Sequence, residues 1–384
     1  MNDPLLNEKH QLLRDQVRSF AEKEIKPVAV ELDEKSAFST ELTGKMFDMG
    51  LLRINLPETY GGLGMDTLSY IITVEELARV DGSQAASVAA HNSLGIAPIY
   101  KFGTEEQRKQ FLPMLTTGKK LWAFGLTEPN AGSDSNNTET IASLDDGKWT
   151  INGKKIFITN IASEMSGGVT VQAVTGNQEG GKKELSVILV DRETPGYNTE
   201  AIKSKMMWRG ADTGKVSFEN VKVPEENILG KRGEGSKIML STLDGGRLSI
   251  AAMGLGLAQG AFEMAMQYGA GRVQFGRPVN HFQTNSFKLA DMATKIELAR
   301  SLLYKACWLK DQDLPFGKEA AMAKLYTSEI SREVVNDALQ IHGAHGLMKG
   351  NDIERFYRDQ RILEIGEGTS EILRMVIARH LGIR

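Results

Sequence analysis

The sequence predicts an α+β multidomain chain: an N-terminal helical domain, a middle β-domain and a C-terminal four-helix bundle. Three observations carry this prediction. Apolar residues recur at helical spacing through residues 1–120, short β-rich runs punctuated by turns fill 121–232, and long helical periodicity returns over 233–384. Strands do not alternate with helices, so a doubly wound sheet is not expected.

In the first block, Leu5, Leu12, Leu13, Val17, Phe20 and Ile25 mark a helical stretch from Leu5 to Glu34. Met46–Leu52 and Leu68–Val80 repeat the habit. Thr104-Glu105-Glu106-Gln107, ahead of Phe111 and Leu115, has the form of a capping box, in which the Thr and Gln side chains satisfy orphan backbone donors. In the middle block, Trp149–Ile151, Lys155–Thr159, Val169–Val171, Leu185–Val190 and Val216–Phe218 are expected strands, separated by turn clusters such as Asp145-Asp146-Gly147. Asn152-Gly153 predicts a hairpin, because both residues accept positive φ. Ile238–Tyr268, Phe282–Lys310, Lys318–His342 and Ser370–Leu381 form the closing block; helices this long without a heptad seam pack as an antiparallel bundle.

Composition narrows the classes. The chain has 384 residues, 41% apolar and 25% charged, which suits a globular protein and not a disordered or collagenous one. Its 46 basic and 49 acidic residues leave a charge of −3, with no broad footprint for nucleic acid. Cys307 is alone, so neither an intrachain disulfide nor a multi-cysteine metal site can form. No apolar run approaches the roughly 20 residues of a membrane span. The opening Met1-Asn2-Asp3-Pro4, followed by Glu8 and Asp15, lacks the marks of a signal or transit peptide. A cytoplasmic location is expected, with neither membrane nor nucleic acid as partner.

Three motifs are decoys. The glycines at Gly254, Gly256 and Gly260 mimic a dinucleotide loop but lie inside a helical pattern with no preceding strand, so helix packing explains them. Gly230–Lys237 has the composition of a phosphate loop with Lys and Ser in the wrong order. His342 and His345 have no carboxylate or cysteine framework to complete a metal site.

Four segments carry chemistry. Trp122–Asp134 joins an apolar run to a loop of small residues that lets backbone and hydroxyl groups approach a ligand. Phe157-Ile158-Thr159 puts a ring and a hydroxyl on the same side of a strand, where a planar ligand could stack and hydrogen-bond. In Arg272–Pro278, Gly276 and Pro278 break the helix and leave Arg272 near its C-terminus, to cap carbonyls or to meet a phosphate. Glu364–Ile372 precedes the last helix, with Thr369 or Ser370 as N-cap. Glu367 stands between two glycines, either as a solvated capping residue or as a carboxylate set into a cleft for general-base work.

These segments, in this order and on this layout, resemble the acyl-CoA dehydrogenase flavoprotein family over essentially the whole chain. Thr127–Asp134, the Arg-x-x-Phe-Gly element at Arg272 and the Glu367-Gly368-Thr369 tail carry the likeness. The resemblance implies FAD, an acyl-CoA substrate, an electron-transfer flavoprotein as acceptor and a homotetramer. It makes Glu367 the catalytic base for the α-proton, with the β-hydride passing to flavin N5. The Glu367 backbone amide and a flavin hydroxyl would stabilise the enolate. It places Phe124, Leu126, Thr127, Gly132, Ser133, Phe157, Ile158 and Thr159 around the flavin ring. Arg272, Phe275, Gln283, Gln340 and Gly343 would meet the FAD pyrophosphate or adenosine across a subunit boundary, and Thr369, Ser370 and Glu371 would also touch FAD. Asp244, Arg247 and Ser133 would contact the CoA thioester, with Gly366, Gly368 and His91 lining the acyl site.

Some positions separate subgroups. Members that carry the base just before the helix Arg would have it where this chain has Gly246, and glutaryl-type members carry an Arg where it has Ala85. The pattern is that of the short- and medium-chain type. Against that type, Gly366 replaces a frequent Tyr, Ala344 follows Gly343 where a second Gly is usual, and Leu347 replaces a Tyr. His91 is either a hydrogen-bonded helix residue or a group that polarises an unusual acyl chain. A branched, cyclic or aryl-substituted acyl-CoA is therefore an alternative substrate, with dehydrogenation or the reverse reduction. A non-catalytic or nucleic-acid-associated relative on the same fold is the alternative of another class.

Overall fold

The computed structural model describes residues 5–383, so the Met1–Pro4 start lies outside it. The helices are α1 (Glu8–Phe20), α2 (Lys26–Lys35), α3 (Thr40–Asp48), α4 (Thr67–Ala78), α5 (Gly82–Ala90), α6 (Ala97–Phe102) and α7 (Glu105–Thr116). Strands β1 (Leu121–Gly125), β2 (Ile141–Asp145), β3 (Lys148–Thr159), β4 (Ser166–Asn177), β5 (Lys183–Asp191), β6 (Tyr197–Ala201) and β7 (Thr213–Pro224) follow. Then come α8 (Gly235–Gly271), a two-stranded ribbon of β8 (Val273–Gln274) and β9 (Arg277–Pro278), α9 (Gln283–Asp311), α10 (Gly317–His342), α11 (Asp352–Asp359) and α12 (Ser370–His380).

The first helical stretch is continuous from α1 to α2 but widens into a π turn over Ala21–Ile25. A second π turn, His91–Ile96, joins α5 to α6. Each ends just ahead of a proline, Pro27 or Pro98, whose missing N–H and bulky ring disturb the preceding turn. The capping box forms, with Thr104 Oγ1 accepting from the Gln107 backbone and Gln107 Oε1 from that of Thr104. The helix expected over Met46–Leu52 lies earlier, at α3; Leu51 and Leu52 are buried in the loop that follows, which explains their apolar character.

The seven-stranded sheet runs β1-β4-β2-β3-β7-β6, with β5 paired to β4, so β1 is an edge strand. The expected Asn152-Gly153 hairpin does not form. Those residues lie within β3, where the register on β7 shifts between Ile151 and Gly153, and Gly153 sits so close to Thr140 that a Cβ would stand 2.4 Å from its Oγ1. The hairpin is made instead by Asp146 and Gly147, both at positive φ, between β2 and β3.

Helix α8 runs through the centre. It is long and apolar enough to cross a membrane, yet 78% of its most apolar window is buried inside the fold, the mark of a core helix. Its decoy glycines permit close packing: a Cβ on Gly256 would stand 2.3 Å from the Glu75 carbonyl of α4, and one on Gly260 2.2 Å from that of Arg79. One apolar core joins the N- and C-terminal helices, a second fills the sheet, and a third ties α7 and β1 to the start of α8.

Candidate active site

Glu367 lies in the short stretch between the 3-10 turn Gln360–Glu364 and α12. Its φ of 52° is left-handed, a conformation that costs a non-glycine residue roughly 1–3 kcal/mol, and Gly368 beside it has φ 102°. Its Oε2 is shielded from solvent and has no hydrogen-bond partner among the described residues. Gly246 of α8 lies against that oxygen. A Cβ there would stand 2.0 Å from Glu367 Oε2 and 3.1 Å from Leu94 Cδ2. Burial pushes the Glu367 carboxyl up to about 7, against the pull of the Lys324 and Arg247 cations.

Several elements build this setting. From α10, fully buried Lys324 donates Nζ to the Gly368 carbonyl at 2.6 Å, and Ser328 donates Oγ to that of Leu363 at 2.9 Å. Thr369 is the N-cap of α12, accepting from Ile372 N–H at 3.3 Å, and the buried Ser370 hydroxyl is unpartnered. On α8, Arg247 donates to Asp244 Oδ1 at 2.6 Å while its Nε stays buried and unpaired. The π turn carries Leu94 toward Gly246 and also onto the core that contains Phe124 and Leu126 of β1 and its exit. Leu94 thus links the surroundings of Glu367 to the sheet.

On the sheet side, the loop after β1 is pinned from within. Lys155 of β3, fully buried, donates to Glu128 Oε1 at 2.6 Å and to the Leu126 carbonyl at 3.2 Å; Glu128 also accepts the N–H groups of Glu139 and Thr140. Ile156 N–H holds the Thr127 carbonyl at 3.0 Å. Just beyond, β3 shifts register and Phe157 takes φ 60°, so its ring is 65% exposed while Ile158 is buried and Thr159 half-buried. Gly132 and Ser133 are exposed on the same loop, with open space around Gly132. A presented ring with hydroxyls at Thr127, Ser133 and Thr159 nearby in the chain fits a planar aromatic group with polar edges, as FAD offers.

The second set of expected FAD residues sits at one end of the bundle. Arg272 caps α8 and Gly343 caps α10, where Tyr268 stacks on His342 at 4.5 Å. Gln283 opens α9, and Gln340 is exposed on the last turn of α10. Phe275, on the turn of the β8–β9 ribbon, is 95% exposed and touches the Phe282 ring edge-on. Glu371 is exposed in the first turn of α12.

His91 is corrected. Its Nε2 lies 2.9 Å from the Leu115 carbonyl, and its Nδ1 accepts the Trp122 backbone N–H at 3.1 Å. Burial pushes its pKa down to about 4, so the ring is neutral and joins the π turn to α7 and β1. Neither nitrogen is left for an acyl group. His342 is likewise a packing residue, with Nδ1 on the Ala338 carbonyl at 2.7 Å.

Lys324, Lys155 and Leu94 were not singled out from the sequence. Lys324 had a signal, because its helical neighbours Ala320 and Thr327 on α10 are core; Lys155 had none, because β3 shifts register between Lys155 and Ile158. Leu94 had none, because its place depends on the π turn.

Comparisons with known proteins agree along the chain. Profiles of the acyl-CoA dehydrogenase N-terminal, middle and C-terminal domains match residues 7–119, 123–221 and 233–382. The chain is similar to the "Probable acyl-CoA dehydrogenase YngJ" of Bacillus subtilis (strain 168), 47% identical over 376 residues and 98% of both chains. It is 43% identical over 377 residues to the short-chain specific acyl-CoA dehydrogenase of Clostridium acetobutylicum, covering 97% of this chain and 98% of that one. It is also 43% identical over 380 residues to the acryloyl-CoA reductase (NADH) of Anaerotignum propionicum, covering 98% and 95%. Among solved structures, butyryl-CoA dehydrogenase from Megasphaera elsdenii superposes with a TM-score of 0.95 at 40% identity, over 99% of this chain and 100% of that one. A chain solved in work on the electron transferring flavoprotein of Acidaminococcus fermentans and flavin-based electron bifurcation gives 0.95 at 42% identity, over 99% of each.

Proposed function

The chain belongs to the acyl-CoA dehydrogenase family, and we propose that Glu367 is the base with which it dehydrogenates an acyl-CoA thioester to the 2-enoyl-CoA, passing electrons to an electron-transfer flavoprotein. The observation that carries this is the unpartnered, shielded Oε2 of Glu367 against Gly246. A carboxylate in that setting, raised toward neutral pH, is a strong enough base for a carbon acid and meets little competition from water. A proton α to a thioester is weakly acidic, so the enolate oxygen needs donors already aimed at it. The Glu367 backbone N–H, held by the left-handed turn, is one such donor.

When bound, FAD supplies the acceptor for the β-hydride. Phe124, Leu126, Thr127, Gly132, Ser133, Phe157, Ile158 and Thr159 would hold its ring, with Thr369, Ser370 and Glu371 beside it. Asp244 and Arg247, locked to each other at 2.6 Å, would orient the thioester, with Ser133, Gly366 and Gly368 along its path. The exposed arm of Arg272 and Phe275, with Gln283, Gln340 and Gly343, would reach the FAD of a neighbouring subunit in a homotetramer. Exposed Phe287, Leu298 and Trp308 of α9 support such an interface. A cytoplasmic location suits the single buried thiol of Cys307.

A second substrate reading rests on Gly366. The three atoms nearest to a Cβ there all belong to Ile362, at ordinary contact distances of 3.5–3.8 Å, so a Cβ fits and its absence widens the cleft for a branched, cyclic or aryl acyl group. Reduction of an enoyl-CoA by the same groups in reverse is set by the electron partner and not by this site.

Anaerobic titration with butyryl-, hexanoyl-, octanoyl-, isobutyryl-, cyclohexanecarbonyl- and phenylpropionyl-CoA tests both readings. Bleaching of the oxidised flavin band supports dehydrogenation and ranks the acyl groups. A bound flavin that none of them reduces overturns it for this panel, and a protein that binds no flavin overturns the cofactor assignment.

A further inference from the structure

Lys324 poses a physical problem. It lies fully buried on a face of α10 made of Ala320, Ala321, Ala323, Thr327 and Ser328, where a methionine would serve the packing equally well. A buried ammonium is costly unless its charge is matched, and its hydrogen bond goes to a neutral carbonyl, that of Gly368. The carboxylate that acts on it most strongly is that of Glu367, one residue earlier in the chain.

Building on the function proposed above, we propose that Lys324 is a positioning residue for the proton transfer: its ammonium fixes the Gly368 carbonyl, which holds the left-handed Glu367 turn, and its charge keeps the Glu367 carboxylate ionised to receive the α-proton. The other charged and titratable groups in reach are already engaged. Arg247 of α8 faces Glu367 but is paired with Asp244, and Tyr70 of α4 spends its hydroxyl proton on the Ala89 carbonyl at 2.8 Å. Glu364, before α12, and Glu329, on α10, also act on Lys324, yet each is paired elsewhere, with Arg332 and Arg361 or with Arg374. Ser328 supports the same arrangement by anchoring the Leu363 carbonyl to the next turn of α10.

The two groups give a direction for pH. Burial raises Glu367 to about 7 and lowers Lys324 to about 8, so carboxylate and ammonium coexist best between those values. In the reaction, the Cα–H electron pair stays on the enolate while the proton moves to Glu367. In D2O, exchange of that proton and its return leave deuterium on Cα, a readout independent of flavin reduction.

The test uses the FAD-loaded wild type, Lys324→Met and Lys324→Gln with butyryl-CoA. It measures Cα deuteration under anaerobic conditions and kcat/KM from pH 5.5 to 9.5, with flavin content and Tm as controls. The wild type should give a bell with limbs near 7 and 8. Lys324→Met should lose the alkaline limb, move the acid limb to higher pH and deuterate Cα at least about tenfold more slowly at pH 7.5. Lys324→Gln, which retains a donor toward Gly368, should recover part of the rate but not the acid limb. Wild-type limbs in a folded Lys324→Met overturn the inference, as does a loss of rate equal at every pH. Should Lys324→Met not fold, a wild-type profile without an alkaline limb, or unshifted limbs in Lys324→Gln, overturns it. A wild type that neither deuterates Cα nor is bleached by any thioester defeats the functional reading instead.

Discussion

Gly246 of α8 and Glu367 ahead of α12 claim the same space: a Cβ on the first would stand 2.0 Å from Oε2 of the second. A methyl group cannot share that position with the carboxylate, so in Gly246→Ala the Glu367 side chain must swing away. Displacement of a reacting group by about 1 Å costs on the order of 10²-fold in rate. Gly246→Ala is expected to lower kcat by about 10–100-fold while flavin content stays at the wild-type level. Steady-state kinetics beside the flavin-to-protein absorbance ratio check this, and an unchanged kcat would mean that the carboxylate has a second working position.

Replacing the base should separate activity from stability. The Glu367 carboxyl is raised from 4.5 to about 7 by burial, so its contribution to stability is full below about pH 4.5 and is lost as the pH rises through 7. At pH 8 the folded protein carries a buried carboxylate whose Oε2 accepts no hydrogen bond from the described residues and whose burial outweighs the pull of Lys324 and Arg247. Glu367→Gln removes that charge and should raise stability by roughly 1–3 kcal/mol at pH 8 and by little at pH 5, while abolishing most turnover and keeping FAD. Thermal melts at the two pH values test it. A variant that melts lower at pH 8 than the wild type would contradict the assigned direction.

Much of this was legible in the sequence, and what was not has physical causes. The long helices and the capping box at Thr104 follow from periodicity and local side-chain chemistry, which act over a few residues, whereas Glu367 reads as a base only through the family resemblance. The hairpin was misplaced because Asn152-Gly153 and Asp146-Gly147 offer the same turn chemistry, and only the close approach of Thr140 to Gly153 decides between them. His91 was ambiguous for a similar reason: its two nitrogens are claimed by Leu115 and Trp122, backbone groups brought to it by the fold. The likeness between positions 246 and 367 as seats for a base becomes a single point in space only once α8 and the tail are packed together.

The buried pair under the flavin loop gives a sharper stability test. Lys155 and Glu128 are both almost fully buried, and removal of one partner leaves the other as an uncompensated charge, at a cost of about 3–5 kcal/mol. Lys155→Met should therefore destabilise strongly, whereas the double variant Lys155→Met/Glu128→Leu should regain part of the loss. The Leu126 carbonyl, however, loses its side-chain donor in both, while Thr127 keeps only its backbone bond from Ile156. FAD affinity, read by fluorescence quenching on apoprotein, is expected to stay weakened at least about tenfold in the double variant. Wild-type affinity in a restabilised double variant would confine the pair to folding.

Gly366 permits a test of the cleft that needs no change in the base. Its φ lies outside the left-handed region and the three atoms nearest to a Cβ all belong to Ile362, at ordinary contact distances, so Gly366→Tyr should fold without backbone strain. A Tyr side chain adds about 150–250 Å² of contact surface next to Glu367, enough to narrow the space beside the α-carbon. Straight butyryl-CoA should then lose little kcat/KM, while cyclohexanecarbonyl- and phenylpropionyl-CoA lose about tenfold or more. The comparison is internal, because any general damage to the Glu367 turn lowers all substrates alike. Equal losses across the panel would place the selective wall elsewhere, with Leu94, set against Gly246 by the π turn, as the next position to substitute.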